Sequence, residues 1–106
     1  MPKYLFEARY TAEGARALAG EGGSGRRAAM TKMTDGMGGK LESFYYAFGD
    51  VDLYAIAELP DNESAAAVAL AVSQGGGATV RTVVLISPEG MDKAGKKAVE
   101  YRPPGR

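Results

Sequence analysis

Lys40–Leu59 reads KLESFYYAFGDVDLYAIAEL, and it alternates on both sides of a tight turn. In Lys40–Phe48, the large residues Phe44, Tyr46 and Phe48 fall on one face. In Val51–Leu59, Val51, Leu53, Ala55, Ala57 and Leu59 share one face, and Asp52, Tyr54, Ile56 and Glu58 share the other. Period-two alternation marks a half-buried strand. Gly49–Asp50 supplies the turn, so the stretch predicts a β-hairpin.

The flanking sequence adds elements on either side. Upstream, Tyr4, Phe6, Ala8 and Tyr10 face one way, while Lys3, Glu7 and Arg9, with Leu5, face the other: a first strand. Thr11 is placed to cap a following helix with its hydroxyl. That helix meets Gly20, Gly22, Gly23 and Gly25, each unfavourable by about 1 kcal/mol, and so breaks. Ser24 is the candidate cap for its second part, where Arg26, Met30, Met33 and Met37 form a stripe at helical spacing, stopped by Gly38–Gly39. Downstream, Pro60 ends the hairpin and Asp61 or Asn62 caps an alanine-rich helix to about Gln74. Gly75–Gly77 turns into a fourth strand, Ala78–Ile86. Ser87–Pro88–Glu89 then opens a last helix, with a cap, a proline at the first helical position and an acid in the first turn. This helix is expected to reach about Tyr101. The chain thus reads as one domain over residues 1–101, with 102–106 as a tail.

The order βαββαβ plus a C-terminal helix predicts an α+β, ferredoxin-like fold. Its four-stranded antiparallel sheet carries both main helices on one face. The other face is left bare, with Leu5, Glu7, Arg9, Asp52, Tyr54, Ile56, Glu58, Arg81 and Val83 on it. A face with that much apolar content calls for a partner. The alanine-rich helix is nearly as apolar around Ala66 and Leu70 as on its other side. It is therefore expected to meet a second subunit or the C-terminal helix.

Composition narrows the function. Of the 48 apolar residues among 106, Ala supplies 18, and Leu, Ile, Val and Phe together only 19. So lean a core fits a globular chain only because charge is balanced, 13 Lys/Arg against 13 Asp/Glu. It also points to completion by a second copy. Balanced charge argues against nucleic acid or an anionic membrane as partner. No Cys and no His are present, which excludes disulfides, thiol nucleophiles, zinc–cysteine sites and imidazole bases; no metal and no cofactor is expected. The longest apolar run, Ala65–Val72, is far short of the ~20 residues of a membrane helix, and Met1–Lys3 leads directly into a strand pattern. The expectation is a soluble cytoplasmic protein.

The middle of the chain carries a resemblance. Gly38–Gly49 (GGKLESFYYAFG), Asp52, and Glu58–Asp61 (ELPD) resemble the GYD-domain family of small bacterial proteins. The opening Pro2–Leu5 with Arg9–Tyr10–Thr11, the Gly22–Gly23 break before Arg26–Arg27, and the ending Tyr101–Gly105 are similar to it as well. The family is named for a Gly…Tyr-Asp signature at the third strand, and here Val51 stands at the tyrosine position before Asp52. The resemblance implies a dimeric α/β barrel, two ferredoxin-like sheets facing each other. It implies no established activity. The wider superfamily includes cofactor-free monooxygenases and haem-degrading enzymes.

Candidate sites follow from these placements. Tyr4, Tyr10, Arg26, Met30 and Tyr46 are the candidate ligand-binding residues, converging between the sheet and the broken helix, where phenols can donate to a carbonyl. The plainer reading is that the methionines fill gaps and the tyrosines pack. Arg9, Asp52, Tyr54 and Arg81 are the candidate interface residues, with Asp52 expected to meet a cation such as Arg9 or Arg81, from its own sheet or the facing one. As catalytic acids these charges would need a water-poor cleft. Gly20–Gly25 is not a phosphate loop, since no Lys-Ser/Thr pair follows and no strand directly precedes it. The leading expectation is a homo-oligomer that binds a small hydrophobic or aromatic molecule. The alternatives are a cofactor-free monooxygenase or isomerase acting on an aromatic or quinone-like substrate, and a structural oligomerisation module.

Overall fold

The alternation along Lys3–Tyr10 does what it predicts: Tyr4, Phe6 and Ala8 turn inward and are buried. In the computed structural model, which describes residues 1–106, eight elements follow in order. They are β1 (Lys3–Tyr10), α1 (Ala12–Glu21), α2 (Gly23–Gly36), β2 (Lys40–Tyr46), β3 (Leu53–Glu58), α3 (Asn62–Gly75), β4 (Ala78–Leu85) and α4 (Pro88–Gly95). The strands form one antiparallel sheet in the order β2-β3-β1-β4, a ferredoxin-like arrangement. Phe6 stands between Ala55 on β3 and Thr82 on β4.

Three helices start where a side chain can accept a free backbone N–H. The Thr11 hydroxyl accepts from Gly14 N, an Asp61 carboxylate oxygen from Ser64 N, and the Ser87 hydroxyl from Gly90 N. Such caps are each worth about 0.5–2 kcal/mol. The start of α2 differs from the expectation at Ser24. Its cap is Gly22, with φ of 89° and no side-chain bond, and Ser24 lies inside the helix. Gly22 N donates to Leu18 O and its carbonyl accepts from Arg26 N, so one glycine in a conformation closed to most residues ends α1 and begins α2.

The hairpin strands are shorter than their alternation, and β2 carries a register shift between Leu41 and Ser43. That irregularity changes parity, so Leu41 joins Phe44 and Tyr46 on the inward face. Phe48 falls in the connecting turn and is fully exposed. The last helix stops at Gly95 rather than near Tyr101. Gly90 and Gly95 weaken it, and no packed face supports it.

α1, α2 and α3 cover one sheet face. Tyr4, Phe6, Ala55, Ala57, Leu59, Ala65 and Val68 form the core, flanked by Met33 and Met37. Only 12 of 106 residues are buried, so much apolar surface stays uncovered. On the open face, cross-strand pairing sets up rows. An apolar row of Ile56, Leu5 and Val83 lies between the Lys3 row and the row holding Glu7 and Arg81. Outside the sheet, α4 does not cover the outer side of α3, where Leu70 remains 62% exposed. No helix is long and apolar enough to cross a membrane.

Candidate functional site

Alanines at Ala8, Ala55 and Ala57 make a low floor in the middle of the covered sheet face, where larger side chains would fill the layer. Above them, α1 contributes Gly14, Ala17 and Leu18, α2 Met30 and Met33, and α3 Val68 and Val72. Between the two layers lies a cavity of about 350 Å³ whose lining is mostly apolar.

One end of the cavity is polar. Tyr10 at the end of β1, Glu21 at the end of α1 and Arg26 in the first turn of α2 line it. An Arg26 Nη1 to Glu21 Oε1 distance of 3.6 Å spans the helix break. Tyr46 stands behind this rim: its O–H donates to the Gly23 carbonyl at 3.2 Å and its ring packs against Gly23. Burial pushes the Tyr10 phenol up to about 12, and the neighbouring Tyr46 adds to the shift. The Tyr46 phenol is also raised by burial, with Tyr10 and Arg26 acting in the opposite direction. At neutral pH both phenols therefore hold their protons and are donors.

Of the five ligand-binding candidates, the cavity takes in Tyr10, Arg26 and Met30, and Tyr46 supports its rim. Tyr4 is elsewhere. It is fully buried in the core and its O–H donates to Asn62 Oδ1 at 2.7 Å. Tyr4 and Tyr10 share a face, but six residue steps along the strand separate them by about 20 Å. Glu21 and Leu18 belong to the site and were not among the candidates. Gly14, Ala17, Leu18 and Glu21 follow the i, i+3, i+4, i+7 spacing of one helix face, a signal present in the sequence and obscured by the glycines after it.

Within the chain, the ion pairing on the open face differs from the expectation for a single sheet; pairing with a facing sheet is a separate matter. Asp52 meets no arginine: its Oδ2 accepts from Tyr10 N at 2.9 Å. The reason is position, since Asp52 follows the hairpin turn where the β1–β3 ladder ends and Tyr10 N has no strand partner there. Arg81 pairs with Glu7 instead, Nη2 to Oε2 at 2.7 Å. Arg9 has no ion-pair partner in the chain, and Tyr54 is 40% exposed beside Tyr45. A smaller polar hollow of about 220 Å³ lies among Glu7, Arg9, Asp50 and Arg81. Val51, at the signature tyrosine position, is buried and lines it.

Fold and site together define a small α+β domain with a ligand-sized apolar cavity, closed on one side by an alanine floor and bordered at one end by phenols and a guanidinium. The GYD-domain family model matches residues 4–94, and the chain belongs to that family. No curated protein and no solved structure matches it.

Proposed function

We propose that this protein is a homodimeric binder of small apolar molecules that carry one hydrogen-bond-accepting oxygen. The observation behind this reading is the cavity of about 350 Å³ with its single polar end. A cavity of roughly 150 Å³ holds benzene, so a two-ring aromatic body or a medium alkyl chain fits here. The protonated Tyr10 phenol and Arg26, only loosely held by Glu21, present donors to a carbonyl or carboxylate. Support for the dimer comes from the open face, where the apolar row of Ile56, Leu5 and Val83 lies between charged rows and would stack on its own copy.

Two probes test the cavity: 2-naphthoate and naphthalene, each followed by ligand-observed NMR. Both are expected to bind. Arg26→Ala and Tyr10→Phe are expected to weaken 2-naphthoate roughly 3–10-fold each, the loss of one hydrogen bond, and to leave naphthalene unaffected. Ala55→Leu, which raises the floor, is expected to weaken both. Binding of neither probe, or binding untouched by Ala55→Leu, would overturn the assignment. The donors also favour a second reading, an isomerase-like enzyme in which they stabilise an enolate oxygen. Tyr10, with its pKa near 12, would then serve as a donor and not as the base.

A further inference from the structure

The chain beyond β4 is helical at its start and makes no extensive contact with any other element. Ser87 caps α4 and Pro88 occupies its first turn. Ile86 and Met91 take the positions of a hydrophobic staple, and the Ile86 side chain lies over Gly90. Yet no residue of α4 is buried, and from Met91 to Arg106 every residue but Pro103 is exposed. The turn hydrogen bonds of this segment, such as Lys97 N to Ala94 O and Arg106 N to Pro103 O, close within it. None of its charged side chains enters an ion pair. The radius of gyration is 16.8 Å, against about 13 Å for a compact chain of this length. The segment is an arm.

We propose that residues 86–106 lie against a second copy of this chain and clasp the sheet-face dimer. The proposal rests on the dimer reading above. Three observations select a second copy as the arm's partner. The first is area. A face four strands wide and about six residues long covers only about 400 Å² in projection, a small footprint for a stable dimer, which a further contact would enlarge. The second is continuity. Leu85, the last residue of β4, shares the open face with Lys3 and leads directly into the arm, which places the arm beside any copy stacked there. The third is charge. Residues 86–106 hold five Lys/Arg and three Asp/Glu, net +2, whereas residues 1–85 hold eight and ten, net −2. Arm and body attract each other. Met91, Val99 and Tyr101, 56%, 78% and 72% exposed, are the apolar anchors.

Sedimentation velocity on three proteins tests this: the full chain, the chain ending at Ser87, and full-length Met91→Glu. The full chain is expected to be a dimer at micromolar concentration. Both variants are expected to raise the dimer dissociation constant at least about tenfold, as loss of interface anchors does. Far-UV circular dichroism of Met91→Glu should match the parent, which keeps the test valid if the shortened chain fails to fold. A dimeric full chain whose dissociation constant neither variant changes would overturn the arm proposal and leave the dimer standing. A full chain that is monomeric at micromolar concentration would overturn the dimer reading, and the arm with it.

Discussion

Asp52 carries a role that its neighbours in sequence do not announce. Its carboxylate holds the amide of Tyr10, the residue at the cavity rim. Hydrogen bonds to charged groups contribute about 1.5–3 kcal/mol, and Asp52→Ala leaves the amide unpaired. We expect that variant to lower the melting temperature by several degrees and to weaken 2-naphthoate through Tyr10, with Asp52→Asn recovering part of both. Unchanged melting and binding would remove Asp52 from this role. Tyr10 itself predicts a pH effect. Its proton is held to about pH 12 in the folded chain, whereas an exposed phenol releases it near 10. Between these values the unfolded chain binds fewer protons than the folded one, so stability falls as pH rises. The contribution is fully present below about pH 10 and is lost through about pH 12. Melting temperature measured across that window should fall less steeply for Tyr10→Phe than for the parent.

Among the elements, what was legible in the sequence is what local chemistry decides. Thr11, Asp61 and Ser87 cap their helices because a cap needs only the next three residues. The inward sets of β1 and β3 follow from alternation along a single strand. The Leu41–Ser43 irregularity does not, because parity there depends on pairing with β3. The site was legible in the same uneven way. Arg26 and Met30 stand on one helical stripe, while Tyr4 shows that a shared face is not a shared end. A seam invisible to periodicity joins α1 to the turn before β4. Thr11 N donates to Gly77 O at 3.0 Å, and a Cβ built on the buried Gly14 would overlap that same carbonyl. Backbone against backbone leaves no flexible group to yield. Gly14→Ala is expected to destabilise by about 2–4 kcal/mol, in the upper range for single substitutions, and chemical denaturation would measure it. A loss below about 0.5 kcal/mol, the range of neutral surface changes, would show that the seam opens freely.

At the scale of the whole molecule, apolar surface remains on both sides of the sheet and along the C-terminal arm, and the proposed reading gives each region a different use. The open face and the arm serve the proposed association. The cavity sits on the opposite side of the sheet from the open face, and no residue of the arm is among those that line it. In the proposed dimer, the apolar row and the arm then share no residue with the cavity lining through which to exchange free energy. Reciprocal linkage requires that a ligand distinguish the associated from the separate state, and here it meets the same walls in both. Titration calorimetry should therefore give one site per chain, with a Hill coefficient of one. The affinity should not change as protein concentration crosses the dimer dissociation constant. On the proposed reading, dimerisation would not tune the affinity: it would join two independent binding sites in one particle.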